Sequence, residues 1–182
     1  MGARRPRMQG SKVRIHAPRA RDRDRDEVLA LVRRSRALQR GFMHPGETPA
    51  DWTAYLRRLR GDRHAGFLVR RLEDDAFVGL VNVNEIVRGV FQSGYLGYWV
   101  GGPYARQGYM TEAVGLVLRQ AFGRLGLHRV EANVQPHNAA STALVRSLGF
   151  RLEGRSPRYL KIGGRWRDHD RWALLAEEWR AR

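Results

Sequence analysis

The run Tyr95-Leu96-Gly97-Tyr98-Trp99-Val100-Gly101-Gly102-Pro103-Tyr104-Ala105-Arg106-Gln107-Gly108-Tyr109-Met110-Thr111-Glu112-Ala113 passes from an aromatic strand pattern, through a basic glycine-containing loop, into a helix start. That order makes an anion site. The N–H groups of a helix's first turn have no intrahelical partner, and the helix dipole favours negative charge there. Gly108 lets the backbone come close to a phosphate, and Arg106 adds a formal charge. The spacing is neither the GxxxxGK[ST] of a P-loop nor the GxGxxG of a dinucleotide fold.

Downstream, residues 111–125 carry Val114, Val117, Leu118, Ala121 and Phe122 at helical spacing. Residues 129–134 read as a strand. Residues 138–148 read as a helix with Asn138 as N-cap and Gly149 as the left-handed terminator, and Phe150 packs back on it. Strands 159–162 and 165–175 flank the two-residue turn Gly163-Gly164. Upstream, strands 67–72 and 77–87 are joined across Glu73-Asp74-Asp75. Thr48-Pro49-Ala50-Asp51 opens a helix carrying Trp52, Tyr55, Leu56 and Leu59, read as a core face. A loop spans 39–47, a helix 22–36 and a short strand 12–16. The alternation Arg21-Asp22-Arg23-Asp24-Arg25-Asp26 lacks the glycine and glutamate of a calcium loop and reads as a solvated helix start. The resulting order, β, α, α, β-β-β, α, β, α, β-β, predicts an α/β (α+β) fold: a mixed sheet with helices on both faces.

Composition narrows the function. The chain has 182 residues and no cysteine, which removes disulfides, thiolate metal sites and a cysteine nucleophile. No apolar run reaches the ~18–20 residues of a membrane span, and residues 1–12 have no apolar stretch behind them, so a cytoplasmic protein without a secretory signal is expected. A flexible basic tail over 1–11 and one domain over 12–182 are expected. The net charge is +16, and 32 of the 34 basic residues are arginines. Such a bias follows equally from codon usage and from an anionic partner. Residues 1–40 hold 13 basic and 4 acidic residues, a net of +9, and ribosome association through this region is the partnership that it raises.

From Tyr95 to Trp179 the chain resembles the GNAT acetyltransferases, and within them the ribosomal-protein-alanine N-acetyltransferases of the RimJ/RimL type. The resemblance rests on Leu96-Gly97-Tyr98-Trp99-Val100, Gln107-Gly108-Tyr109-Met110-Thr111-Glu112-Ala113, Leu127-His128-Arg129-Val130-Glu131-Ala132, Pro136-His137-Asn138-Ala139-Ala140-Ser141 and Leu148-Gly149-Phe150-Arg151-Leu152-Glu153-Gly154. It closes on Tyr159-Leu160 and Gly164-Arg165-Trp166-Arg167-Asp168-His169, and Ile86-Val87-Arg88-Gly89 belongs to the same likeness. The family's pyrophosphate loop, Q/R-x-x-G-x-G/A, is met here only at Gly108; Ala105 and Met110 depart from it.

The resemblance implies a mostly antiparallel sheet with one splayed parallel strand pair, 95–101 and 129–134. It implies acetyl-CoA as co-substrate with no metal, and a primary amine as acceptor, most directly a protein's N-terminal α-amine, attacked without an acyl-enzyme. It implies a monomer or homodimer. Tyr98, Trp99, Val100, Arg106, Gln107, Gly108, Tyr109, Met110, Thr111 and Asn138 are the expected acetyl-CoA contacts. The backbone N–H near Val100 is the expected oxyanion donor, Ser141 the group at the leaving thiolate and Glu85 the general base, with Glu112, Glu131 and Asp168 as other carboxylates in view. His128, His137 and His169 lack a metal-ligand spacing and read as structural or surface groups. Two other functions stay open on the sequence: a small-amine or antibiotic acetyltransferase, and a ribosome- or RNA-binding factor.

Overall fold

The computed structural model describes residues 8–42 and 45–181. Seven strands form one sheet in the order β1-β2-β3-β4-β5-β7-β6: β1 Val13–His16, β2 Ala65–Arg71, β3 Phe77–Val87, β4 Ser93–Val100, β5 Arg129–Val134, β6 Arg151–Ile162 and β7 Arg165–Leu175. Every neighbouring pair is antiparallel except β4 and β5. The predicted mixed sheet with helices on both faces is what the chain forms.

Helices α4 (Tyr109–Phe122) and α5 (Ala139–Ser147) cover one face over a large apolar core that includes Phe67, Val69, Leu96, Val114, Leu118 and Val145. Helices α1 (Asp22–Arg34), α2 (Arg36–Gln39) and α3 (Pro49–Arg58) belong to the opposite side, where Val28, Val32, Trp52, Leu68, Phe77, Leu80 and Trp99 form a smaller core. Strand alternation divides the two: in β2, Phe67 and Val69 point to the first core and Leu68 to the second.

The start of α3 follows its sequence signal. Thr48 Oγ1 accepts the Asp51 N–H at 3.2 Å and Asp51 Oδ2 accepts the Thr48 N–H at 3.0 Å, a capping box worth about 1 kcal/mol. Asn138 caps α5 by accepting the Ser141 N–H at 3.1 Å, and Gly149 ends it with φ +84°. The short helix α6 (Ala176–Arg180), held by Glu178 accepting the Leu175 N–H at 2.8 Å, was not foreseen; five residues are too few to show periodicity. Strand β6 also begins eight residues earlier than expected, because β7 supplies its partner along that length.

Two expectations change. The helix start at Asp22 is not wholly solvated: Asp24 is buried, and its Oδ1 accepts from Arg70 Nη2 at 2.9 Å. Arg70, itself 3 % exposed, points from β2 toward the smaller core and also donates to the Asp75 carbonyl and to His16 Nε2. The tail expected over 1–11 is anchored from residue 8 onward, where Gln9 bridges to Arg14 and Ser11 Oγ donates to Glu112 Oε2 at 2.9 Å. Residues 1–7 of that tail, and 43–44 of the loop 39–47, lie outside the described residues.

Candidate active site

Strands β4 and β5 pair only from Ser93↔Arg129 to Leu96↔Ala132. Beyond that point β4 runs on to Val100 bonded to β3 alone, and β5 runs on to Val134 bonded to β7 alone. The sheet therefore contains a wedge with two unspent edges, a place where an extended chain can add hydrogen bonds as a strand would.

The register says which groups face it. Gly101 donates its N–H to the Val78 carbonyl on β3 at 2.9 Å, and Trp99 pairs with Leu80. Backbone groups alternate along a strand, so those of Tyr98 and Val100 turn the other way, into the wedge. The Val100 N–H is therefore turned to the open edge. Trp99 presents neither backbone nor side chain there, because its indole sits edge-on to Phe77, 5.8 Å between centroids, in the smaller core. It is corrected from a contact residue to a core residue.

At the mouth of the wedge the chain turns into α4. Arg106 and Gly108 both take left-handed backbone, φ +61° and +81°, and Gly108 is the N-cap. A side chain at Gly108 would be strained in that conformation. The Glu112 N–H goes to the Gly108 carbonyl at 3.2 Å, which leaves those of Tyr109, Met110 and Thr111 unbonded within the helix. Gln107 Nε2 closes the loop on the Pro103 carbonyl at 2.9 Å. Met110 contributes only its N–H, since its side chain is buried in the larger core. Arg106 is exposed.

Lys12 was not anticipated. Its Nζ donates to the Gln107 carbonyl at 3.4 Å and lies 3.6 Å from where a Cβ of Gly108 would stand. Strand β1 brings it there because Glu112 accepts the N–H groups of Lys12 and Val13, at 2.9 and 3.3 Å, and the Ser11 hydroxyl. Burial alone would raise the Glu112 pKa, but these donors bring it below the ordinary value, and the carboxylate is committed to structure. An open pocket of about 620 Å³ beside the loop is lined by Ser11, Lys12, Arg71, Gln107 and Tyr109 among others.

On the α4/α5 side of the wedge, Tyr98 projects toward the first turn of α5. Its hydroxyl is buried yet completes no hydrogen bond, and the group it faces is Ser141. Burial raises the Tyr98 pKa and the nearby Ser141 hydroxyl works against that rise. Tyr98, Val100, Asn138 and Ser141 thus converge along the wedge, with residues 108–111 at its mouth.

Glu85 belongs to the other face. It lies at a register shift in β3 with φ +46°, its carboxylate is ion-paired with Arg63, and His64 Nε2 is 3.8 Å from it. Tyr95 of β4 stands near it, with a pKa raised first by burial and then by the Glu85 charge; Arg58 and Tyr159 lie within electrostatic reach of the same phenol. Tyr55 donates to Asn82 Oδ1 at 2.8 Å nearby. Past the end of β5 the loop 39–47 is tied down: Gln135 Nε2 donates to the Gly41 carbonyl at 2.9 Å and Phe42 stacks on His137.

The remaining carboxylates are engaged, Glu131 with Arg129 and Asp168 with the Arg158 N–H. His128 pairs with Glu177, and buried His169 faces the Arg167 carbonyl. Among the described residues no group of three His, Asp or Glu side chains is placed to hold a metal, and no helix is long and apolar enough to cross a membrane.

The family model for the acetyltransferase (GNAT) domain matches residues 13–151. A Bacillus subtilis protein named "Probable N-acetyltransferase YjcK" is 39% identical over 123 residues, 68% of each chain. The Escherichia coli [ribosomal protein uS5]-alanine N-acetyltransferase is 34% identical over 155 residues, 79% of this chain and 80% of that one. The solved structure of Mycobacterium smegmatis RimJ in complex with CoA-disulfide superposes with a TM-score of 0.77 at 31% identity, over 91% of this chain and 83% of that one.

Proposed function

Because the chain belongs to the GNAT acetyltransferase family and is an acetyl-transfer enzyme related to the ribosomal-protein-alanine acetyltransferases, we propose that it moves the acetyl group of acetyl-CoA to the N-terminal α-amine of a protein. The observation that supports this most directly is the wedge. It offers an extended pantetheine two open strand edges, and it leads to a helix start with three unbonded N–H groups for the pyrophosphate. Gly108, Tyr109, Met110 and Thr111 serve through their backbone, with Gln107 shaping the loop and Arg106 and Lys12 adding charge. The M. smegmatis relative was solved with a CoA-disulfide.

In this reading the amine nitrogen attacks the thioester carbonyl carbon directly. The Val100 N–H donates to the oxygen that becomes negative. As the C–S bond breaks, its electron pair leaves on sulfur, where the Ser141 hydroxyl donates a hydrogen bond. Asn138 holds Ser141 in place by accepting its N–H.

Glu85, paired with Arg63 through one oxygen and 3.8 Å from His64 through the other, lies on the acceptor face in this reading and takes the amine's proton directly or through water. An α-amine needs little help, since its reference pKa is about 7.7–8.0 against about 10.4 for lysine. The uS5-alanine relative acts on such a group by its name. Incubation with acetyl-CoA and a panel of N-terminal peptides, polyamines and aminoglycosides tests the reading: free thiol should appear with peptides, and mass spectrometry should place the acetyl on the α-nitrogen. Turnover confined to polyamines or aminoglycosides would transfer the assignment to small amines.

A further inference from the structure

We infer that Tyr98 is a positioning residue for acetyl transfer, donating its buried hydroxyl proton to Ser141 Oγ so that the Ser141 O–H is aimed at the leaving sulfur. This rests on the acetyl-transfer reading above and adds a residue to it.

A buried polar atom without a partner is uncommon and needs a reason. The Tyr98 hydroxyl is such an atom. Its side chain lies on the α4/α5 face of β4, packed against the larger core, at a position whose backbone already faces the wedge. The polar side chain in front of it is Ser141, at the third position of α5. The Ser141 N–H is spent on Asn138, while its hydroxyl has no other partner among the described residues.

A serine hydroxyl has one proton and two lone pairs. Left alone on a helix it turns readily to a backbone carbonyl one turn back. A phenol donating to its oxygen occupies one lone pair and favours the rotamer whose proton points into the wedge. Burial keeps Tyr98 protonated, so it is a donor at any pH where the enzyme works. Val145, one turn further along α5, is apolar and fully buried in the larger core, so Ser141 is the polar side chain of α5 that stands before Tyr98. Atoms and charge balance without a new reactant: the N–C bond forms, the C–S bond breaks, its electron pair goes to sulfur as thiolate, the amine's proton goes to Glu85 or water, and Tyr98 and Ser141 keep their own protons.

Steady-state kinetics of Tyr98→Phe, Ser141→Ala and the double variant, with thermal unfolding of each, test this. Tyr98→Phe should lower kcat by ~10-fold with KM for acetyl-CoA within about twofold, and the double variant should be no slower than Ser141→Ala. With an acetyl thioester of a more acidic thiol, which leaves with less help, the Tyr98→Phe loss should shrink; a purely structural role would leave it the same. Thermal unfolding should show each variant folded at the assay temperature, so that a lower kcat reports the reaction and not a loss of folded protein. An unchanged kcat, or additive losses in the double variant, each overturn the inference while wild-type turnover keeps the parent reading. Absence of wild-type turnover on every amine would overturn the parent reading itself.

Discussion

The two faces of the sheet are built by different means. The wedge and the α4 start are made mostly of backbone, with Tyr98 and Val100 turned inward by register and residues 109–111 open by helix geometry. The face carrying α1–α3 is made of side chains gathered from distant places: Tyr55 and Arg58 from α3, Glu85 from β3, Tyr95 from β4 and Tyr159 from β6. A backbone site tolerates change in sequence, which is why a loop that keeps only Gly108 of the family pattern still has the geometry of an anion site. A side-chain site changes with every substitution, and on the proposed function that is the face where acceptor choice would be read.

The largest test of this contrast is Asp24→Ala. It removes one of the two carboxylates beside the buried Arg70 guanidinium, leaving Glu27 at 2.6 Å, and should cost about 2–3 kcal/mol. Thermal unfolding should show it, and the folded fraction should still bind CoA with unaltered affinity because the wedge lies between β4 and β5, away from Arg70 on β2; a parallel loss of CoA affinity would break the contrast. Gly108→Ala should act in the opposite sense. Left-handed backbone costs about 1–2 kcal/mol for a residue with a Cβ, so KM for acetyl-CoA should rise ~10-fold while KM for the amine stays put.

Lys12→Met should raise KM for acetyl-CoA by about threefold and flatten its salt dependence, since one exposed cation near the loop is worth up to about 1 kcal/mol. The smallest effect concerns the hairpin that carries Tyr159. Arg129 holds Glu153 in a two-pronged pair across β7, and this drops the Glu153 pKa to about 2. A depressed carboxylate stabilises above its unfolded pKa of about 4.3 and loses that contribution as pH falls toward 2. Glu153→Gln should therefore remove part of the acid limb of the stability profile between those values, by less than about 1 kcal/mol because solvent screens the pair. An identical limb in wild type and variant would remove Glu153 from the account.

Much of the architecture was legible because it is local. Strands 77–87, 129–134 and 165–175 end where their patterns end, and the Thr48 and Asn138 caps form as their residue types direct. What escaped is long-range. Lys12 reaches a loop 95 residues away only because β1 is laid beside α4 by Glu112. The Asp24–Arg70 pair joins positions 46 residues apart, and no charge pattern within α1 announces it. Trp99 sits in a motif that marks the site, yet strand alternation sends its ring to the opposite core.

The four paired residues between β4 and β5 have a mechanical consequence. A seven-stranded sheet ordinarily bends as one plate. Here the leaf β1–β4 and the leaf β5–β7–β6 share a seam only four pairs long, and past Leu96 and Ala132 nothing in the sheet itself resists their separation. The line along which the two leaves part runs along the slot a ligand would occupy. An extended guest there would act as a missing strand, stiffening the two leaves into one, and its departure would restore the compliance that lets the next one in.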